Sequence, residues 1–228
     1  MMNEQKVTQR QRQLTTPHSA GIAGIIAGVL FITSHVLILI SLPTSQVGPG
    51  IHQQTQKTIV AIALQLLPFA GIAFLWFMGV MRDRIGKRED QFYSTVFMGS
   101  GLLYLAMSFT AAALAGGLRS FYFISQASEG ESLYTIGESL VSQITNVFGL
   151  RMAAVFMLSS AAMWVRTGVV PRWLAIMTAL LGLLLLITIG LSLWLALIFP
   201  VWMLIVSVLI LISNYRRKTE NSESPAEV

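Results

Sequence analysis

The chain alternates long apolar runs with short polar segments. A helix needs about 20 apolar residues to cross the hydrocarbon layer of a bilayer. Five runs reach or approach that length, at residues 22–42, 59–81, 92–115, 147–165 and 174–212. The pattern therefore predicts a bundle of transmembrane helices.

The last run, residues 174–212, contains no charged residue. As one helix it would extend about 58 Å at 1.5 Å per residue, nearly twice the hydrocarbon thickness. We expect it to fold back near Ser192, Leu193 and Trp194, which makes two spans, 174–192 and 195–212. Pro200 would then lie in the first turns of the sixth helix.

Composition agrees with a membrane environment. Hydrophobic residues make up 54% of the 228 positions and charged residues only 11%, whereas soluble domains carry about 25% charged residues. So few charges cannot cover a water-facing surface. The predicted fold class is all-α, a polytopic transmembrane bundle of six spans.

The cations predict the orientation, because Lys and Arg collect on cytoplasmic segments. With the N-terminus inside, only Lys57 and Arg119 fall on outer segments, and Arg151 lies within the fourth span. The inner segments hold the rest: Lys6, Arg10, Arg12, Arg82, Arg84, Lys87, Arg88, Arg166, Arg172, Arg216, Arg217 and Lys218. Five spans would place the last three outside, so the asymmetry favours six spans with both termini in the cytoplasm.

The segments outside the membrane are short. Residues 1–19 are polar and are interpreted as a disordered cytoplasmic tail, 20–214 as the transmembrane domain and 215–228 as a second cytoplasmic tail. A secretory signal is disfavoured at the N-terminus because the first apolar run is too long for a signal core. The outer loop 116–146 has apolar residues at helical spacing, which predicts a surface helix leading into the fourth span: Leu133, Ile136, Leu140, Ile144 and Val147.

Residues 68–92 read PFAGIAFLWFMGVMRDRIGKREDQF, followed by VFMGSG at 96–101, LRMAAVFM at 150–157 and RTGVVPRWL at 166–174. With these motifs the chain resembles an uncharacterised family of small six-span bacterial membrane proteins. The resemblance covers roughly half of the chain. It implies the six-span fold and a location in the bacterial plasma membrane, and it implies no activity or catalytic residue.

Four polar residues form the candidate ligand site: His35, Gln65, Thr110 and Arg151. They fall at similar depths in the outer half of the first four spans, on the order of 7–11 Å below the boundary. They could line an outward-facing cavity for a small polar or anionic ligand. The alternatives are hydrogen bonds that only fix helix packing, and for Arg151 a side chain that reaches up to the outer water.

Other chemistries lack the residues that they require. The chain has no cysteine, and a membrane haem needs facing histidines, whereas His35 is the only histidine within a predicted span. Proton-coupled transport usually uses a carboxylate inside the membrane, and no predicted span contains one. We therefore expect no cofactor, no metal site and no catalytic activity.

The sequence leaves two functional hypotheses open. The first is a non-enzymatic membrane protein that binds a small molecule or lipid, or assists a larger complex. The second is a small permease with its site around His35, Gln65 and Arg151. The charged loop 82–90 could dock a partner or anionic lipid, but a topology anchor is the simpler interpretation. Nucleic-acid binding is disfavoured because the loop lacks aromatic residues for stacking.

Overall fold

The computed structural model describes residues 2–41, 53–85, 91–124, 129–168, 170–188 and 193–223. Every regular element in these ranges is helical. The predicted all-α class is therefore confirmed for the part of the chain that is described.

Within these ranges, seven α-helices and two other helical segments follow one another. The α-helices are α1 (Met2–Ser41), α2 (Gln53–Ile85), α3 (Gln91–Ile124), α4 (Glu129–Ser142), α5 (Leu150–Thr167), α6 (Arg172–Ile187) and α7 (Ile198–Glu223). A π-helical segment, Gln143–Gly149, joins α4 to α5, and a 3₁₀ turn, Leu193–Leu197, leads into α7.

Among the described residues, five helical stretches are long and apolar enough to cross a membrane: Gly21–Ile40, Thr58–Arg82, Phe92–Leu118, Thr135–Thr167 and Trp194–Ser213. Their outer surfaces match lipid, since large side chains such as Trp76 (72% exposed) and Phe69 (61%) point away from the protein. The chain is thus a multi-pass membrane protein.

The fifth predicted span, 174–192, differs from the others. It is present as α6, but α6 has 16 residues and is shorter than a spanning helix normally requires. The chain leaves the helix at Thr188, whose backbone is extended (φ −64°, ψ 123°). The predicted turn at Ser192 lies outside the described residues, while Leu193 and Trp194 belong to the 3₁₀ turn.

The first and last described spans pack antiparallel through glycines of α1. A Cβ added at Gly21 would lie 3.2 Å from the Cβ of Leu211, and one added at Gly28 would lie 3.0 Å from the Cβ of Leu204. Gly21 and Gly28 thus belong to a small-residue face of α1 that lies against α7, and Gly24 between them faces Ser207. Small residues allow such close approach between membrane helices.

The α5–α6 pair is joined by a short turn. Gly168 adopts a left-handed conformation (φ 64°), and its N–H donates to the Trp164 carbonyl at 3.0 Å, which ends α5. Pro171 then precedes α6. The two helices touch closely at Gly182, where an added Cβ would lie 3.2 Å from the Ala154 carbonyl oxygen.

An aromatic cluster occupies the centre of the bundle. Five helices each contribute a buried ring: Phe31 from α1, Phe74 from α2, Tyr104 from α3, Phe156 from α5 and Phe199 from α7. The ring centroids are separated by 4.5 Å for Tyr104–Phe199, 5.4 Å for Phe74–Phe156 and 6.0 Å for Phe31–Phe74, in tilted or edge-to-face geometry. Such pairs are attractive beyond the burial of their area, so this cluster holds the helices together.

Two extramembrane predictions differ from the structure. The predicted disordered tail, 1–19, is helical from Met2 onward as part of α1; its glutamines and basic residues are good helix formers that can extend a helix already nucleated. The predicted surface helix of the outer loop exists as α4, but it continues through the π segment into α5. In the part of α4 whose burial is described, 135–142, Gly137 and Val141 are buried, whereas Ile136 and Leu140 are exposed.

Candidate functional site

A cavity of about 50 Å³ lies between α1, α3, the π segment and the 3₁₀ turn, next to the aromatic cluster. It is partly open and mainly apolar. Four polar side chains line it: His35, Tyr104, Ser108 and Thr145. The other lining residues are Ile38, Leu39, Leu67, Ala111, Ala112, Ala115, Val141, Gly149, Leu150 and Ala196.

His35 lies on α1, one turn after Phe31. Its Nδ1 lies 2.9 Å from the Phe31 carbonyl oxygen. Because a carbonyl only accepts hydrogen bonds, Nδ1 must carry the proton of this bond. In the neutral imidazole, Nε2 is then an acceptor. Nδ1 is thus hydrogen-bonded within α1, whereas Nε2 can accept a hydrogen bond from a ligand.

Tyr104 and Ser108 lie one turn apart on α3. Tyr104 is only 4% exposed. Its hydroxyl is buried and makes no hydrogen bond of regular geometry to a described residue, although the Ser108 side chain lies near it. The Ser108 hydroxyl instead donates to the Tyr104 backbone carbonyl at 2.9 Å. A buried hydroxyl without a partner costs free energy, so Tyr104 has an unused donor beside the cavity.

The π segment shapes the wall that faces α1 and α3. Its residues Thr145 and Gly149 both line the cavity. Next to them, the buried Asn146 donates from Nδ2 to the Ser142 hydroxyl at 3.3 Å, while its Oδ1 has no partner among the described residues. Short π segments within α-helices occur frequently at functional sites. The segment Gln143–Gly149 is an irregularity of this kind in the cavity wall.

The structure brings only His35 of the four predicted site residues to this cavity. Gln65 is exposed and lines a separate shallow groove on α2 with Pro68 and Phe69. Thr110 is also exposed, and its hydroxyl donates to the Ala106 carbonyl at 2.9 Å. The sequence placed the four residues at similar depths. Their side chains nevertheless point in different directions, because their positions around the helix axes differ.

The Arg151 side chain forms a hydrogen bond to the backbone one turn before it in the same continuous helical stretch. Its guanidinium Nη1 donates to the Val147 carbonyl at 2.8 Å, and Arg151 is not among the residues that line the cavity. The prediction that it could pair with an anionic ligand there therefore has no geometric support. Arg151 is the second residue of α5, two positions after the end of the π segment, and is half-buried.

Sequence reasoning missed Tyr104, Ser108 and Thr145. A signal for the first two was present: residues 104, 108, 111, 112 and 115 recur at helical spacing on α3 and combine hydroxyls with small alanines. A face with small residues leaves room beside a neighbouring helix. Thr145 could not be found this way, since the π segment changes which residues of its helix face inward.

The cavity lining provides neutral hydrogen-bonding groups. Tyr104 and Thr145 can donate from their hydroxyls, whereas His35 Nε2 and the hydroxyl oxygens of Ser108 and Thr145 can accept. None of the described residues that line the cavity is Asp, Glu, Lys or Arg. The arrangement suits a small neutral group that can both donate and accept.

No family model, curated protein or solved structure matches this chain. The geometry and chemistry of the cavity are therefore the evidence for function.

Proposed function

We propose that this chain is a bacterial plasma-membrane protein that crosses the bilayer six times and has both termini in the cytoplasm. The antiparallel contact of Gly21 with Leu211 supports an even number of crossings, since it brings the start of the first span beside the end of the last. The segregation of the cations supports the orientation. The resemblance of residues 68–92 to a bacterial family supports the location.

The crossing that raises the number from five to six in this proposal is α6, the fifth in chain order. The C-terminal end of α5 lies beside the start of α3, where Arg166 contacts Tyr93 at 3.3 Å. The next span begins at the other end of the bundle, where Ala196 lines the cavity with His35. These two positions support a return of the chain across the bundle through α6. At about 24 Å, α6 is short for the hydrocarbon layer, and local thinning of the bilayer compensates for such a mismatch.

The function that we propose is the binding of a small molecule, without catalysis, in the cavity beside His35. The supporting observation is a partly open cavity that adjoins the buried, unpartnered hydroxyl of Tyr104. A bound molecule would satisfy that hydroxyl and so recover the free energy that its burial costs. Catalysis is not proposed because the Ser108 hydroxyl donates to a backbone carbonyl rather than to His35.

Filling the cavity tests this function. Ala115 lines the cavity, whereas Ala113 on the same helix is exposed. We expect mass spectrometry of gently purified protein to find a stoichiometric small molecule in the wild type and in Ala113→Leu. Ala115→Leu should lose it because the added side chain occupies its place. A wild-type protein without such a molecule, or an Ala115→Leu protein that retains it, would contradict the proposal.

A small permease is the second candidate. The observation that favours it is the π segment in the cavity wall, because rewinding Gln143–Gly149 to a regular α-helix would move Thr145 relative to His35. An element with two such conformations could expose the site alternately to the two sides of the membrane. Uptake of acetamide into proteoliposomes, lost in Ala115→Leu but kept in Ala113→Leu, separates a permease from a protein that only binds.

A further inference from the structure

We infer that the ligand of the cavity beside His35 is an uncharged molecule with a hydroxyl or primary carboxamide group that donates one hydrogen bond and accepts another. The inference rests on the proposed binding function and adds the chemical class of the ligand. It departs from the sequence-based expectation, which included an anionic ligand because Arg151 was placed at the site.

The lack of a countercharge is the first argument. No Asp, Glu, Lys or Arg is found among the described residues of the cavity lining. Arg151, the cation nearest along the chain to Thr145 and Gly149, gives its guanidinium to the Val147 carbonyl. An ion in a mainly apolar cavity would lose its hydration without gaining a partner, which is unfavourable. The site therefore favours neutral molecules.

The hydrogen-bonding groups form the second argument. The Tyr104 hydroxyl is a buried donor without a regular partner. His35 offers Nε2 as an acceptor, because its Nδ1 is engaged with the Phe31 carbonyl. A ligand group has to accept from the first and donate to the second. Hydroxyl and carboxamide groups do both, whereas an ether or ketone only accepts.

The size of the cavity limits the polar group. A volume of about 50 Å³ is several times the roughly 10–15 Å³ that a cavity needs to hold one water molecule. The enclosed part of the ligand thus has only a few non-hydrogen atoms. The lining of Ala111, Ala112, Ala115 and Leu67 is apolar, so alkyl carbons are accepted beside the polar group and can continue through the open side.

The absence of cysteine from the natural chain allows a direct test. Thr145→Cys and Val141→Cys each place one thiol in the cavity lining, and Thr135→Cys places one at an exposed position of α4. Each purified variant is treated with three methanethiosulfonates: the neutral methyl reagent, the anionic sulfonatoethyl reagent and the cationic trimethylammonioethyl reagent. Mass spectrometry gives the labelling rates, and each rate is divided by that of Thr135→Cys with the same reagent.

We expect the neutral reagent to label both cavity cysteines, with both charged reagents slower by about tenfold or more after this correction, since entry of an ion carries a desolvation cost. Adding Ala115→Leu to Thr145→Cys should slow the neutral reagent, because the added leucine side chain fills the cavity. Two cavity positions are used so that a folding defect in one variant does not decide the outcome.

Two results would overturn the inference in different ways. Charged reagents that label the cavity cysteines as fast as the neutral one would leave the cavity in place but exclude a neutral ligand class. A preference for the anionic reagent would have the same effect, since it would indicate a cationic His35. If no reagent labels either cavity cysteine while Thr135→Cys reacts, the cavity is closed and the proposed binding function fails with it.

Discussion

At the scale of single residues, the glycines divide into those that permit helix contact and those that face open space. A methyl group at Gly24 would overlap the Ser207 hydroxyl and lie 2.7 Å from a ring carbon of Phe77, whereas one at Gly79 would meet nothing within 4 Å. The first glycine thus determines how closely α1 approaches α7 and α2.

We expect Gly24→Ala to lower the free energy of unfolding by about 1–3 kcal/mol, the usual cost of overpacking. Gly79→Ala is the matched control and should be neutral or slightly stabilising, because alanine favours a helix over glycine. Unfolding in mixed detergent micelles measures both. Equal stabilities for the two variants would show that α1 and α7 do not approach each other at Gly24.

Some polar residues line the cavity, whereas others are exposed on the outer surface. The sequence placed His35, Gln65 and Thr110 at similar depths, and of these three His35 lines the cavity. The direction of a side chain around the helix axis could not be estimated, so Gln65 and Thr110 were grouped with His35 although both are exposed. Successive residues of an α-helix are rotated by about 100° around its axis. A small error in the assumed helix rotation therefore turns a predicted cavity-lining residue into a lipid-facing one.

At the scale of helices, α6 is attached to α7 by a buried hydrogen bond. The indole Nε1 of Trp202 donates to the Thr178 hydroxyl at 3.0 Å. Trp202 also stacks between Trp164 and Phe199, with centroids 6.1 Å and 5.6 Å away. The short α6 is thereby held against the aromatic cluster.

Thr178→Val removes the acceptor and keeps the shape of the side chain. We expect a loss of about 0.5–2 kcal/mol in unfolding free energy, since the Trp202 N–H is left buried without a partner. Thr110→Val is the control, because its hydroxyl is exposed and bonds only within α3. A double-mutant cycle with Trp202→Phe should show coupling; additive effects would mean that this bond does not stabilise the α6–α7 pair.

The continuous helix from α4 to α5 was only partly predictable. Its helical periodicity could be recognised, and the apolar stripe that includes Ile136 and Leu140 predicted a helix on the membrane surface. In the structure Gly137 packs against Leu118, where an added Cβ would overlap the leucine side chain. The π segment then alters the register before α5 begins. Close approach to a neighbour therefore outweighed the apolar stripe.

At the scale of the whole molecule, the proposed orientation can be tested with two cysteines. A thiol at Ser125 should react with a membrane-impermeant maleimide added to intact cells, because the proposal puts the α3–α4 connection outside. A thiol at Ser222 should react only after permeabilisation. The cysteine-free parent chain is the control for background. Labelling of both from outside would contradict an even number of crossings, and labelling of Ser125 only from inside would invert the orientation.

The sequence by itself determined the all-helical class and the position of the apolar helices. Each follows from the solvent preference of a local run: a run such as 22–42 or 92–115 is stable as a helix where water is absent, whatever its neighbours are. Only the tertiary structure decided that α6 is shorter than a usual span and that His35 lines one cavity with Tyr104, Ser108 and Thr145. Those outcomes depend on rotation about each helix axis, on glycine contacts and on the π segment, which arise when several helices pack together.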